Sequence, residues 1–363
     1  MARERIVSLQ ILRFAAAAAV TVAHASCATE FWKHSGCIAQ YPAGVGAAGV
    51  DVFFVLSGFV IAMNGPLAEP RPTAVTFFWR RWSRVAPIYY LLSLPLIVHA
   101  LVHGWFNLPQ AIATFLFWPA AGPSIVLPFV EAGWTLCFEM VFYSAISAVL
   151  IDGRVRRNLA GLGLVFAALL AARQFSGWNP LRILANPIFL EFATGVVLAR
   201  LWPRLKSADL RLGAALMIAG LALFAVDAVV GAGDAISLES TLRDTDAFWR
   251  VGVFGVPALL LVAGACICER AMHGRVARML AWMGDASYST YLIQGTAIPV
   301  VALSLFPFLG THRPAALACA LIFVSLALGA ATYVLIERPI LRDLRRLKLP
   351  AAWRQPRSTP LRT

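Results

Sequence analysis

Apolar runs long enough to cross a membrane recur along the whole chain, and they constrain its fold more than any other feature. A helix needs about 20 apolar residues to span the hydrocarbon core, and a spanning segment must satisfy its own backbone hydrogen bonds, as a helix does. Charged residues make up 13% of the 363 residues, about half the share in soluble domains. The sequence therefore predicts an all-α, polytopic integral membrane bundle of about ten transmembrane helices.

Short segments that are basic or contain Gly and Pro separate the predicted spans. The ten predicted spans are Val7–Ser26, Val45–Met63, Val85–His103, Trp134–Ile151, Asn158–Arg173, Ile183–Leu201, Leu212–Val230, Val251–Cys268, Ser287–Phe306 and Ala315–Ile336. Between the third and fourth spans, Phe106–Gly133 contains a shorter apolar run interrupted by prolines, and we interpret it as a re-entrant or interfacial segment on the outer side.

Basic residues are distributed unevenly between alternate connecting segments. If the N-terminus is cytoplasmic, the inside segments carry 23 of the 31 lysines and arginines. The positive-inside rule then predicts that both termini are cytoplasmic. These inside segments are 1–6, 64–84, 152–157, 202–211, 269–282 and 337–363. The net charge of +13 is thus explained by membrane topology, and we expect contact with membrane lipids and not with nucleic acid.

The chain divides into a transmembrane domain, residues 1–340, and a basic cytoplasmic tail, residues 341–363. The tail is predicted to begin as an amphipathic helix on the inner leaflet. Cys27 and Cys37 share the first outer loop, where they either pair in an oxidising compartment or stay free. The spacing of Cys and His residues indicates no metal site.

The first span carries two polar residues, Arg13 and His24, eleven positions apart. Eleven helical steps return to within about 20° of the starting direction and rise about 16 Å, so both side chains lie on one stripe. Ionisable groups inside the hydrocarbon normally face a polar interior, because exposure to lipid costs at least ~2.5 kcal/mol. The stripe therefore predicts a site, although a lone membrane histidine can also simply bond a neighbouring carbonyl.

Acidic residues in later spans are the expected partners of this stripe. Asp51, near the outer end of the second span, is either a stabilising acid at a helix N-terminus or a neighbour of His24. Glu139, in the fourth span, requires a cationic partner, for which His24 and Arg13 are candidates. Glu191 lies deep in its span and is less easily explained as a cap.

Arg80, Arg81 and Arg84 precede the third span, with aromatic residues between them. Arg81 and Arg84 are three positions apart, so they lie on one helical face. They either only enforce the positive-inside topology or form a phosphate-binding patch, because guanidinium groups bind phosphate in a bidentate manner.

Six motifs in order resemble the membrane-bound acyltransferase 3 family, and most closely its bacterial exopolysaccharide O-acetyltransferases. They are the Arg13-to-His24 spacing, GVDVFFVLSGFVIA, FFWRRWSRVAPIYYL, WTLCFEMVFY, SYSTYLIQ and YVLIERPI. The family's arginine-to-histidine motif maps onto Arg13 and His24, its Arg-x-x-Arg motif onto Arg81 and Arg84, and its acid onto Glu139. One departure is Gln294, where many members have a histidine.

The resemblance implies an enzyme of the bacterial inner (plasma) membrane that transfers an acyl group, by default acetyl. The donor would be cytoplasmic acyl-CoA or an acyl carrier, acting as a substrate, with no permanently bound cofactor. The acceptor would be a sugar hydroxyl of a lipid-linked or growing polysaccharide.

Within this interpretation His24 is the catalytic base, because its unperturbed pKa lies near neutrality, or a nucleophile that forms an acyl-imidazole. Glu139 or Asp51 would fix the imidazole tautomer, Arg13 would hold the pantetheine or carbonyl end of the donor, and the three arginines at 80, 81 and 84 would bind its phosphates. A transporter or flippase of a lipid-linked sugar is the alternative, since buried charges are also typical of pumps.

Overall fold

The structure is a computed structural model that describes residues 6–34, 43–120, 124–175, 177–233, 236–243, 246–309 and 313–346. Within these ranges the chain is helical and forms no strand. Cys37 lies outside the described residues, and so does the question of its pairing with Cys27, which the sequence left open.

Sixteen α-helices are described. They are α1 (Val7–His34), α2 (Ala43–Asn64), α3 (Ala74–Val102), α4 (Leu108–Phe115), α5 (Gly133–Val149), α6 (Val155–Ala172), α7 (Asn179–Leu184), α8 (Phe189–Leu205), α9 (Leu210–Val230), α10 (Leu238–Leu242), α11 (Ala247–Arg250), α12 (Val256–Cys268), α13 (Gly274–Asp285), α14 (Ser287–Leu309), α15 (Pro314–Thr332) and α16 (Arg338–Arg346). Short π-helical turns, Val251–Gly255 and Tyr333–Glu337, join α11 to α12 and α15 to α16.

A polytopic membrane helical bundle is confirmed. Eight helical segments in the described ranges are long and apolar enough to span a membrane. Two shorter apolar helices, Ala48–Asn64 and Gly133–Val149, coincide with the second and fourth predicted spans. The short helix α4 lies within the segment that we interpreted as re-entrant or interfacial. The number of ten spans and the orientation stay predictions.

Several boundaries differ from those predicted. Helix α1 continues past Ser26 to His34 and so includes Cys27, and two further differences bear on the site. The third helix begins at Ala74 and not at Val85, because the Thr73 side chain accepts a hydrogen bond from the Thr76 N–H (3.2 Å) and so caps a new first turn. The arginines of this region therefore stand on a helix that enters the membrane. The predicted separate tail helix is α16, which continues α15 through the π-turn Tyr333–Glu337 without a break.

Helix α2 is the centre of the bundle, with α1, α8 and α12 packed around it. It approaches α8 closely through Gly58 and Gly195: a methyl group at Gly58 would overlap the carbonyl oxygen of Phe192, and one at Gly195 would overlap that of Val55. Beside this crossing, buried aromatic rings fill the core between α2, α3, α5 and α8; among them are Phe54, Phe138, Phe142, Phe192 and Tyr89. The opposite side of α2 faces α14 and α5 across a cavity.

Candidate active site

A recess of about 820 Å³ opens at the end of the bundle where α2 finishes and α3 begins. Five arginines line it: Arg71, Arg80, Arg81, Arg84 and Arg345, the last from α16. No Asp or Glu is among its described lining residues. We call it the basic recess. Its charge and its guanidinium groups suit an anion that carries several phosphates.

A smaller chamber of about 210 Å³ lies deeper in the bundle, enclosed by α1, α2, α3, α5 and α14. We call it the inner chamber. Its lining includes Arg13, Ser57, Glu139, Tyr143, Asp285, Tyr288 and Tyr291. Val60, Arg81 and Arg84 line both cavities, so the chamber adjoins the basic recess at these three residues. A ligand with an anionic head and a narrow arm can therefore occupy both.

Glu139 is held on both oxygens. The Ser57 hydroxyl donates to its Oε1 at 2.8 Å and the Tyr143 hydroxyl donates to its Oε2 at 2.7 Å. Arg13 lies in the same chamber, where its Nη1 donates to Gln10 Oε1 at 3.1 Å. Arg13 and Glu139 thus line one cavity, but the hydrogen-bond partners of the carboxylate are two side-chain hydroxyls and not the cation that the sequence led us to expect.

Arg81 is fixed at the junction of the two cavities. Its Nη2 donates to the carbonyl oxygen of Val60 at 3.2 Å, near the C-terminal end of α2. Nearby, the rings of Trp79 and Trp82 stack with 5.5 Å between their centroids. The interleaved aromatic residues of this stretch therefore stiffen the first turns of α3, from which the arginines project.

His24 lines neither cavity, and its side chain is exposed. It does not face the lipid side of α1: exposed Val22, two residues earlier, points about 160° away from it. Around the helix, the direction of the His24 side chain falls between those of Ala23 and Thr21. Ala23 packs against Gly46 of α2, and the Thr21 hydroxyl donates to Gln294 Oε1 of α14 at 2.8 Å. His24 therefore points between α2 and α14, toward the end of the bundle opposite the basic recess.

Asp51 follows neither of the two alternatives that its position in the sequence left open: its partner is Arg250, and it stands well inside α2. Arg250 binds the Asp51 carboxylate through Nε (2.9 Å) and Nη2 (2.7 Å), and both side chains are buried. Glu191, also buried, lies in electrostatic contact with this pair. Gly46 of α2 packs against Ala23, the neighbour of His24 on α1, and so marks the depth of His24 in the bundle. Asp51 is five positions later on α2, about 8 Å deeper along the helix axis.

Three contributors to these clusters were missed from the sequence. Tyr143 stands four residues after Glu139, which is the spacing of one helical face and could have indicated the contact. Ser57 gave no such signal, because its partner is on another helix. Arg250 directly precedes the predicted span Val251–Cys268, and a charged residue entering an apolar run is itself an indication of a buried partner.

The fold and the site define a multi-pass membrane protein with a buried polar chamber that adjoins a recess lined by five arginines. The chain belongs to the acyltransferase family whose model, described as an acyltransferase domain, matches residues 6–334. It is therefore an acyltransferase enzyme.

Three relatives illustrate the family. The chain is 32% identical to "Exopolysaccharide production protein ExoZ" of Rhizobium meliloti (strain 1021), over 85% of this chain and 93% of that protein. It is 25% identical to "Acyltransferase MdmB" of Streptomyces mycarofaciens, covering 94% and 93% of the two chains. It is also 25% identical to "Putative peptidoglycan O-acetyltransferase YrhL" of Bacillus subtilis (strain 168), over 81% of this chain and 50% of the relative. No solved structure matches the chain.

Proposed function

We propose that this protein is an O-acetyltransferase of the bacterial inner membrane, which moves an acetyl group from cytoplasmic acetyl-CoA to a hydroxyl group of a cell-surface or lipid-linked polysaccharide. Family membership supports acyl transfer, and the names of the R. meliloti and B. subtilis relatives support a polysaccharide acceptor.

The observation that carries the donor assignment is the junction of the two cavities. The basic recess has room and charge for the three phosphates of coenzyme A, and the inner chamber starts where Arg81 and Arg84 line both. The pantetheine arm of a bound donor would pass these arginines and place its thioester among Arg13, Ser57 and Glu139. Arg13 would polarise the thioester carbonyl there, since a guanidinium stabilises the negative charge that develops on oxygen during acyl transfer.

His24 is the proposed base on the acceptor side. Its imidazole takes the proton of the sugar hydroxyl as the hydroxyl oxygen bonds to the acyl carbon. The carbon–sulfur bond breaks, the thiolate of coenzyme A leaves, and a proton converts the thiolate to the thiol. In the covalent variant the imidazole itself first bonds the acyl carbon and is then displaced by the hydroxyl. In either case the acyl carbon has to come within bonding reach of the acceptor at His24, about 16 Å along α1 from Arg13, so the reaction requires the chamber, closed toward His24 in this structure, to open on that side once the donor is bound.

Replacing His24 tests this function in the producing cell. We expect His24→Ala to lower the O-acetyl content of the exported polysaccharide at least about 100-fold, the usual contribution of a general base, while total export stays unchanged. The measurement is ester content per unit of purified polysaccharide, normalised to membrane-inserted protein. His103→Ala is the matched control, because His103 is an exposed histidine outside both cavities.

Two other outcomes would overturn the proposal. Lost export with acetyl groups still present on the intracellular intermediate would identify a transporter of the lipid-linked sugar. Unchanged acetylation and unchanged export in the inserted variant would remove His24 from the chemistry altogether.

A further inference from the structure

The outer end of the inner chamber is closed by Tyr291. This side chain crosses from α14 to the start of α5, where its hydroxyl donates to the carbonyl oxygen of Ala132 at 3.2 Å and lies 3.3 Å from Thr135 Oγ1. The third side of the closure is Phe53 of α2, whose ring centroid is 6.0 Å from that of Tyr291. Three helices are therefore joined across the cavity at one level by a single ring.

Two apolar side chains of α2, Val50 and Phe54, line the chamber together with Tyr291. Val20, Val50 and Phe54 are almost fully buried and belong to the same packed cluster as Tyr291. Val20 is one helical turn below His24 on α1. In this structure the chamber consequently adjoins the basic recess at one end and is closed toward His24 at the other.

The blind end determines what fits at the tip of a bound donor. The phosphates of the donor remain in the basic recess, so the arm enters at Val60 and its acyl group is the leading end. Along α2 the chamber extends from Val60 to Val50, ten residues or about 15 Å. Each methylene added to the acyl group brings the chain closer to the Tyr291 ring, which its two polar contacts on α5 hold in place.

We propose that Tyr291 is the residue that sets the acyl-chain length of the donor and restricts the enzyme to short acyl groups such as acetyl and propionyl. This specificity rests on the proposed acyl-CoA function. The selection is steric: a longer chain must displace the ring from Phe53 and break its contacts with Ala132 and Thr135. One methylene in an apolar pocket changes specificity about 10- to 200-fold.

A graded series of variants tests the proposal. Membrane vesicles that carry the endogenous polysaccharide receive radiolabelled acetyl-, propionyl- or butyryl-CoA, and ester formation gives kcat/KM for each donor. We expect the butyryl-to-acetyl ratio to rise at least about tenfold in Tyr291→Ala, to rise less in Tyr291→Leu and to stay unchanged in Tyr291→Phe, which keeps the ring. Tyr90→Ala is the matched control, because Tyr90 is a tyrosine of α3 that does not line the chamber.

A second experiment measures binding of the CoA esters to the chamber, so that a variant that folds but has lost acyl transfer still tests the role of Tyr291. Ser57→Cys places a thiol inside the chamber, in a background where exposed Cys319 is replaced by Ser, and CoA esters are tested for protection of this thiol from maleimide. With Tyr291 present, butyryl-CoA should require at least about tenfold more ligand than acetyl-CoA for equal protection. With Tyr291→Ala this difference should disappear.

The outcomes distinguish failure of the proposed role of Tyr291 from failure of the acyl-CoA donor assignment. If wild-type protein uses acetyl-CoA but the Tyr291→Ala variant keeps the wild-type preference in both measurements, the role of Tyr291 is wrong and the donor assignment stands. If no CoA ester is transferred by, or protects, the wild-type chamber, the donor assignment itself fails and the specificity fails with it.

Discussion

The buried ion pair between Asp51 and Arg250 behaves differently from the charges that line the cavities. Arg250 is also 3.5 Å from the Thr241 hydroxyl through Nη1, and its guanidinium lies against the rings of Trp134 and Phe254. Glu191 adds a second carboxylate to the same buried cluster. Arg250 thus has protein partners at Nε, Nη1 and Nη2 and lies against two aromatic rings, which is the arrangement of a structural pair, whereas the buried Glu191 oxygens accept no hydrogen bond within the described part of the chain.

Replacing one member of this pair should destabilise the protein. Asp51→Asn leaves a buried guanidinium without its bidentate partner, which costs about 3–5 kcal/mol. We expect a lower thermal midpoint in detergent, measured by size-exclusion chromatography after heating. The double variant Asp51→Leu/Arg250→Leu should recover part of the lost stability, because it removes both charges together.

The rate of acetyl transfer distinguishes a structural role of Asp51 from a catalytic one. Folded Asp51→Asn protein should retain most of its acetyl transfer, since Asp51 does not contact the chamber. An unchanged thermal midpoint with transfer lost would instead restore Asp51 as a partner of His24.

At this scale the sequence predicted some neighbours and not others. Arg13, Arg81, Arg84 and Glu139 meet at one chamber, because buried charges in a low-dielectric bundle must share a polar space. The partner of Asp51 could not be predicted in the same way. Spacing along one helix gives the direction of a side chain, but the axial offset between two helices depends on where their small residues meet, as at Gly46 and Ala23.

Among the elements, α2 and α8 position the chamber wall. Their crossing at Gly58 and Gly195 brings backbone against backbone, which is how membrane helices gain packing when lipid supplies no hydrophobic force between them. Ser57 is the residue next to this contact, so the depth and rotation of its hydroxyl toward Glu139 follow from the glycine crossing.

A methyl group at this crossing should separate the two helices. Gly58→Ala would ordinarily favour a helix by about 1 kcal/mol, but here the added carbon overlaps the Phe192 carbonyl oxygen, and we expect lower folded yield and weaker acetyl transfer. Gly161→Ala on α6 is the matched control, because a carbon there meets no other atom within 4 Å. The measurement is monodisperse yield from membranes; equal yields for the two variants would contradict the crossing.

The elements themselves were largely predictable, whereas several ends were not. Hydropathy located the spans because each must exclude unsatisfied polar groups from lipid. The start of α3 depends instead on the Thr73 cap, and the continuation of α15 into α16 depends on a π-turn. Such local backbone features leave little trace in the distribution of apolar residues.

Across the whole molecule, the basic recess and His24 lie toward opposite ends of the bundle. The recess is built from residues 64–84 and α16, both of which belong to the segments that the positive-inside rule places in the cytoplasm. His24 is about 16 Å farther along α1 than Arg13. Under the proposed function and the predicted topology, the donor would therefore bind on one side of the membrane and the acceptor on the other.

The positions of the basic recess and His24 at opposite ends of the bundle predict that acetyl-CoA must be supplied from the cytoplasmic side. In vesicles with the cytoplasmic face outward, added radiolabelled acetyl-CoA should acetylate the endogenous polysaccharide, whereas sealed vesicles of the opposite orientation should be inactive until they are permeabilised. Arg84→Ala should raise the KM for acetyl-CoA at least about tenfold, corresponding to the ~1.5–3 kcal/mol of a charged hydrogen bond. Arg211→Ala is the matched control and should leave KM unchanged, because Arg211 belongs to another predicted cytoplasmic segment and lines neither cavity. Activity only in the opposite orientation would invert the assigned topology, while equal KM values for both variants would separate the basic recess from donor binding.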